Sequence, residues 1–354
     1  MKGLVFVGLN KIEIQERPKP LIVEPTDAII RLAKTTICGS DLHILKGHVP
    51  RVPFGRIMGH EGLGTVDAVG ASVTRFKPGD RVIISTMTKC GRCEFCAQGM
   101  YSHCADGGWT LGNTVDGTQA EYTRVRHADG SLYLAPSGVD EDALVMASCM
   151  LPTGMECGVL SGHVQPGCRV AIVGAGPIGL SALMSAQLYS PSVIIMLDLD
   201  PARLEAGRRL GATHAVLSGP HAVEEVMRIT DGKGVDTAIE AVGSPPTFEL
   251  CQELIGVGGT IANIGIHGGK VDLHMDKLWD RNITITTRML DTFATGKLLE
   301  LLKAGKINGK ALATHSFHFN DIITAYDTFA AAAANHALKV IVDFENPGRE
   351  NARL

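Results

Sequence analysis

Val170-Ala171-Ile172-Val173-Gly174-Ala175-Gly176-Pro177-Ile178-Gly179 is a short apolar run that breaks into three spaced glycines and then enters a helical pattern. A lone glycine triplet of this kind is weak, but here the strand before it and the helix after it are both present. Gly174 permits the tight turn, Gly176 lets the backbone approach a pyrophosphate, and Gly179 allows close packing of helix on strand. Pro177 and Ile178 open a helix whose first N–H groups and positive dipole end face the phosphates. A second strand ends at Asp198. A carboxylate there accepts hydrogen bonds from the ribose hydroxyls and repels a 2′-phosphate, so the expected cofactor is NAD. Arg203, five residues on, is the one nearby group able to accommodate a phosphate instead.

Around this turn the chain alternates strand and helix from about Cys149 onward. Arg169–Val173 and Val193–Leu197 read as strands with a helix over Ile178–Leu188 between them. Helices follow at Ala202–Leu210 and Ala222–Ile229, then strands near Asp236–Glu240, Thr260–Gly265 and Ile283–Thr287. This order predicts a doubly wound α/β sheet covered on both faces. It also disposes of a decoy: Val170 to Leu197 carries no charge and is long enough to span a bilayer, yet a buried strand–helix–strand unit reads the same way.

The first 150 residues look different. Lys11–Glu16, Ala28–Ala33, Gly64–Val69 and Arg81–Ser85 are short runs punctuated by Gly and Pro, as expected of a β-rich domain. Past about Leu290 a helix is expected at Gly296–Ala304, with the alanine run Ala330–Ala334 extending another, and a final strand at Leu338–Asp343.

The 354 residues suit two domains. They are 45% hydrophobic and 20% charged, with 33 Lys+Arg against 37 Asp+Glu. That is a folded, near-neutral chain with no electrostatic reason to expect nucleic acid or a membrane surface as partner. The start, Met1 to Val7, reads as a strand and not as an export signal, which predicts a cytoplasmic protein whose cysteines are not a disulfide set.

Four of the nine cysteines, Cys90, Cys93, Cys96 and Cys104, fall within 15 positions. Four thiolates complete a tetrahedral zinc with no open position, so the segment from about 89 to 105 is expected to be a lobe ordered by a structural zinc, an iron–sulfur cluster being the other option. Cys157, Cys168 and Cys251 are read as small buried apolar residues.

Cys38-Gly39-Ser40-Asp41-Leu42-His43 and Gly59-His60-Glu61 gain meaning beside these two sites. Together with Lys77-Pro78-Gly79-Asp80-Arg81-Val82, the cysteine lobe, Asp116-Gly117-x2-Ala120-Glu121-Tyr122, Cys149 ahead of Pro152-Thr153-Gly154, and the glycine fingerprint, they resemble the zinc-dependent medium-chain alcohol dehydrogenases over essentially the whole chain. The resemblance implies a GroES-like catalytic domain over 1–150 and 290–354 and a Rossmann NAD-binding domain over 151–289. Substrate would bind in a cleft, and the assembly would be a homotetramer.

It also implies roles. Cys38, His60 and Cys149 would hold a catalytic zinc, making two zinc ions per chain, with Asp41 orienting His60 and Glu61 an alternate ligand. Ser40 would take the alcohol proton, with His43 passing it to solvent. Ile178, Thr153 and Ile264-Gly265-Ile266 would surround the nicotinamide, and Lys339 would reach the pyrophosphate. The implied reaction is reversible oxidation of an alcohol to a ketone or aldehyde with hydride transfer to NAD.

Trp109-Thr110-Leu111-Gly112-Asn113 resembles the pocket wall of microbial secondary alcohol dehydrogenases, although the four-cysteine lobe and Cys149 depart from that subgroup. Ser40, Trp109, Leu111, Met150 and Met289 are the expected pocket for a small secondary alcohol. A diol or polyol such as butanediol or sorbitol, or a primary alcohol, is the alternative within the class. A non-catalytic NAD-binding relative would lack the Cys38, His60 and Cys149 set.

Overall fold

The structure, a computed structural model, describes residues 1–345. The chain divides into two compact units, one comprising Met1–Cys149 and the chain from Asp291 onward, the other Met150–Leu290. The expected continuation of the first domain over 346–354 lies outside the described residues.

The second unit is built on a six-stranded parallel sheet. Its spatial order is His214–Leu217, Val193–Asp198, Arg169–Val173, Val235–Glu240, Ile255–Asn263 and Thr284–Thr287. Numbered along the chain this is 3-2-1-4-5-6, the doubly wound Rossmann order, in which ligands bind outside the carboxyl ends of the strands where the order reverses. That reversal falls between Arg169–Val173 and Val235–Glu240. Ala171, Val173, Ile195, Leu197, Ala238 and Ile261 form part of its buried core, so these strands read as continuous apolar runs and not as alternating ones.

The glycine turn has the constraints its sequence suggests. Gly174 has φ +106°, and Gly179 sits so close to the preceding turn that an added Cβ would lie 1.8 Å from the Gly174 carbonyl oxygen. At Gly176 an added Cβ would meet nothing within 4 Å. Two glycines serve the fold and the middle one faces open space, the cradle a dinucleotide phosphate requires. Pro177 occupies the first turn of the helix Pro177–Gln187, where its missing N–H is not needed.

The first unit contains a seven-stranded sheet in which Ala313–His318, Lys339–Asp343, Ala28–Ile37, Gly62–Val69, Arg81–Ile84 and Leu132–Leu134 lie side by side, with Tyr122–Val125 also paired to Ala28–Ile37. A smaller sheet joins Lys11–Glu16, Lys2–Gly8 and Arg56–Ile57. Two registers in the larger sheet position residues expected at the metal site. Ile37 pairs with Val340 and Thr35 with Gly62, so Cys38, Glu61 and Lys339 emerge at the same end of three adjacent strands.

Several elements go beyond the sequence reading, among them the strand His214–Leu217 and the helix Pro245–Leu254, while Ile322–Ala330 is the helix next to the alanine run. The alanine run does not extend a helix: Ile322–Ala330 ends there, and Asn335 and His336 close turns back onto Ala331 and Ala333, His336 with φ +51°. Local geometry overrides alanine's high helix propensity. The stretch Val170 to Leu197 is strand, helix and strand, and no single helix among the described residues is long and apolar enough to cross a membrane.

Gly179→Ala is expected to lower the stability of the second unit by roughly 1–3 kcal/mol through overpacking. Gly176→Ala should change it by about 1 kcal/mol or less while weakening cofactor binding. Thermal unfolding and cofactor titration of both variants check the contrast.

Candidate active site

The candidate metal-binding set assembles from three short segments of the first unit. Cys38 precedes the helix Gly39–Leu45, and its backbone N–H donates to Asp41 Oδ2 at 2.8 Å, closing the helix start. His60 follows Gly59, whose φ of +91° is a conformation glycine adopts without strain. Glu61 enters the strand Gly62–Val69. Cys149 follows Ser148, whose hydroxyl donates to the Ile84 carbonyl and accepts from the Gly62 N–H at 3.2 Å. Those two bonds seat Cys149 over the strand ends that carry His60 and Glu61.

One donor atom from each of Cys38, His60, Glu61 and Cys149 lies within 4.8 Å of the others. Two thiols, an imidazole and a carboxylate are the donor types zinc prefers. Asp41 Oδ1 stands 3.5 Å from His60 Nδ1, both atoms are buried, and neither has another partner among the described residues. His60 Nε2 is on the Glu61 side at 3.7 Å. A carboxylate behind one ring nitrogen, with the other turned into a cluster of thiols, is how a metal-binding histidine is oriented. The residues fit a zinc ion.

The buried groups of the cluster shift one another's protonation. Cys38 is held well below the ordinary thiol range by its hydrogen bond with Cys149, against the effect of burial, with help from the Lys339 charge. Cys149 is pushed well above that range by the same hydrogen bond and by burial. Burial opposes the charged form of His60, yet the Asp41 carboxylate and Cys38 raise it well above its usual value. Glu61 is raised by burial and pulled back by Lys339.

Lys339 requires a correction. It was expected to reach a pyrophosphate, but its side chain is 3% exposed and its Nζ lies 2.9 and 2.8 Å from the two Glu61 carboxylate oxygens. The strand register places it behind the metal-binding set, where its charge is committed to Glu61. Thr36 also donates its hydroxyl to Glu61. Neither partner of Glu61 had a signal in the sequence, because their meeting depends on how the strands pair.

The other expected residues are spread over both units. Ser40 lies in the first helical turn, its Oγ 3.8 Å from Cys38 Sγ. His43 lies in the last turn, partly exposed, its Nδ1 3.1 Å from His48 Nδ1. Trp109 meets His60 edge-on at 5.6 Å between ring centroids. Leu111 is a second correction: it is wholly buried in the core with Leu32 and Ile84 and lines no open wall. Met150 and Met289 belong to the second unit, buried and exposed respectively.

Also in that unit, Asp198 ends its strand with Oδ2 accepting from the Ala175 N–H at 2.7 Å and Oδ1 from the Asp200 N–H at 2.9 Å. Arg203 faces Asp200 at 3.9 Å. Thr153 ends the short helix Met150–Thr153, and Ile264-Gly265-Ile266 follows the strand Ile255–Asn263, with Ile266 exposed.

The Cys90, Cys93, Cys96 and Cys104 sulfurs form a second cluster on the same 4.8 Å criterion. Cys93 Sγ accepts the N–H groups of Cys96 and Ala105, each at 3.5 Å, and Cys104 Sγ accepts that of Cys90 at 3.3 Å. The Ala105 and Cys96 N–H groups bring Cys93 down to about 6, whereas burial takes Cys96 up to about 12. This donor set, too, fits zinc, and no other side chain is needed to close it.

A fold of this topology with one three- or four-ligand metal set and one closed cysteine set defines a zinc-dependent dehydrogenase. The profile for an alcohol dehydrogenase GroES-like domain matches residues 24–136, and that for a zinc-binding dehydrogenase matches residues 177–304. The solved structure of zinc dependent alcohol dehydrogenase 2 from Streptococcus pneumonia, in its apo form, is 50% identical with a TM-score of 0.94, over 99% of this chain and 100% of that one. Sorbitol dehydrogenase of Bacillus subtilis is 33% identical over 97% of both chains. An NADP-dependent isopropanol dehydrogenase of Thermoanaerobacter brockii is 32% identical over 92% of this chain and 95% of its own. The chain belongs to the zinc-dependent medium-chain alcohol dehydrogenase family and is an enzyme of that class.

Cys149→Ala should reduce bound zinc from about two ions per chain to about one, the lobe retaining its own. Metal analysis after gel filtration measures this, and retention of both ions would exclude Cys149 as a ligand.

Proposed function

We propose that this dehydrogenase uses NAD and interconverts small secondary alcohols and their ketones. The observation that carries the substrate reading is the Trp109 ring set edge-on against His60, which gives the neighbourhood of the metal-binding set an apolar wall. Zinc held by Cys38, His60 and Cys149, with Glu61 as a further donor, supplies Lewis acidity toward the alcohol or carbonyl oxygen.

The remaining work belongs to the chain's own residues. Ser40, two residues past Cys38, takes the proton of the bound alcohol at its Oγ while its own hydroxyl proton passes on toward His43. His43 stands at the other end of the same helix, partly exposed, and releases the proton to solvent. Asp41 holds the His60 ring in place from behind. Ile178, Thr153 and the Ile264–Ile266 segment are the groups we assign to the nicotinamide ring.

For the cofactor, the support is Asp198 at the end of its strand with Leu199 beside it, 79% exposed, and the pairing of Arg203 with Asp200. Arg203, the basic residue nearest to Asp198 in sequence, faces Asp200 at 3.9 Å. The isopropanol dehydrogenase relative is NADP-dependent by name, so the choice rests on these residues and not on kinship.

One observation favours a polyol. Trp109 Nε1 is buried without a hydrogen-bond partner among the described residues, and a second substrate hydroxyl would satisfy it; the sorbitol dehydrogenase relative points the same way. For the assembly we infer a homotetramer by analogy with the family. The outermost strand Thr284–Thr287 supports self-association, since edge strands offer unpaired backbone groups.

Initial rates with 2-butanol, ethanol, 2,3-butanediol and sorbitol, NAD in excess, test the substrate reading. A clear preference for 2-butanol is expected, and a preference for sorbitol would overturn it. Asp198→Gly combined with Leu199→Arg should shift the ratio of NADP to NAD use upward by tenfold or more, on the order of 1.4 kcal/mol; an unchanged ratio would remove Asp198 from the cofactor site.

A further inference from the structure

Behind the metal-binding set lies a buried hydrogen-bond chain that the chemistry described above does not use. Gln119 is wholly buried in the first unit, on the segment that runs beside Ile57–Gly59: Gly117, Thr118 and Gln119 donate their N–H groups to Ile57, Gly59 and Met58 at 2.9, 3.0 and 2.9 Å. Its Cγ occupies the space an added Gly59 Cβ would enter, at 2.6 Å. The glycine before His60 therefore lets the Gln119 side chain pass close behind the ligand.

The Gln119 amide is used at both ends. Its Nε2 donates to the Thr36 carbonyl at 3.2 Å and reaches Asp41 Oδ2 at 3.5 Å. Its Oε1 accepts from the Tyr326 hydroxyl at 2.8 Å. Tyr326 is 3% exposed and its ring packs in the core with Ile37 and Val340. Reversing the amide would set its carbonyl oxygen against two acceptors, Thr36 O and Asp41 Oδ2, and leave the NH2 group facing the Tyr326 hydroxyl. The two acceptors thus select one orientation, and in it the Tyr326 hydroxyl, able to donate or accept, donates to Oε1.

That orientation decides how Asp41 stands. Oδ2 is taken by the Cys38 N–H at 2.8 Å and by the Gln119 amide, which leaves Oδ1 turned toward His60 Nδ1 at 3.5 Å. Those last two atoms have no other partner among the described residues. The contact that orients the histidine and the Gln119 contact that sets the carboxylate are both long, at 3.5 Å, so both are sensitive to a shift of Asp41.

We propose that Gln119 and Tyr326 are positioning residues for the metal site, Tyr326 acting through Gln119 and Gln119 through Asp41 on His60. The proposal rests on the assignment of Cys38, His60 and Cys149 as zinc ligands. It commits the helix Ile322–Ala330, distant in sequence from every ligand, to the metal site, and it makes the Tyr326 hydroxyl the far end of the chain.

The test is a zinc competition titration of the full-length protein with a chelator, with the zinc of the cysteine lobe as internal control for folding. Tyr326→Phe keeps the ring and removes only the hydroxyl. It should weaken zinc at the Cys38 site by about tenfold, the lower end of the range for outer groups around a metal, and leave the lobe zinc unchanged. In cobalt-exchanged protein, the visible absorption of the Cys38 site should shift. Gln119→Met should weaken zinc at least as much, and adding Tyr326→Phe to it should bring no further loss, because the hydroxyl then has nothing to act through.

Equal zinc affinity and an unchanged cobalt spectrum in Tyr326→Phe would overturn the proposal, whatever its melting temperature. Fully additive losses would overturn the link through Gln119. Wild-type protein that takes up only the lobe zinc would instead overturn the ligand assignment beneath it, a result distinguishable before any variant is made.

Discussion

The buried Lys339 ammonium is the constraint on which the metal site depends. Two thiols and a carboxylate are drawn together out of water around one histidine, and concentrating that much potential negative charge is unfavourable without a compensating cation. Lys339 reaches both Glu61 oxygens, and although burial opposes its charge, the Glu61 carboxylate above all holds it protonated. Removing one partner of such a buried pair typically costs about 3–5 kcal/mol. The pair therefore keeps the donor cluster tolerable when no metal neutralises it, and keeps Glu61 beside the other donors when one does.

The two metal sets solve different problems with similar atoms. In the lobe, four sulfurs come from 15 consecutive residues and backbone N–H groups point at them, so the local turn builds the site by itself. At Cys38 the donors come from separate segments, and each is aimed by a neighbour: Cys38 by Asp41, His60 by Asp41 in turn, Glu61 by Lys339 and Thr36, Cys149 by Ser148. The first arrangement is closed by its own four sulfurs. The second keeps mixed donors of different strength, which suits a site that must exchange a ligand during turnover.

Much of the fold was legible because its signals are local. The strand Arg169–Val173 and the helix after it are set by apolar content and by three glycines, two of which have steric reasons within a few residues. Lys11–Glu16 and Ala222–Ile229 match their expected bounds for the same reason. His214–Leu217 escaped notice because it is a four-residue edge strand with two exposed positions. Pro245–Leu254 opens with Pro245 and Pro246, and proline in a first helical turn is no obstacle to the helix. The alanine run misled in the other direction, since propensity cannot report a chain that must turn to enter its last strand.

From the sequence alone came the doubly wound sheet and the four-cysteine lobe, written in short-range spacing, and, through a resemblance over the whole chain, the family and the residues it implies as metal donors. The tertiary structure alone decided that Lys339 pairs with Glu61, that Leu111 is core, and that Gln119 and Tyr326 stand behind Asp41. Each of these contacts joins residues dozens to hundreds of positions apart. Their meeting is set by strand register and by the packing of Ile322–Ala330 onto the sheet, and no local pattern of side chains encodes either.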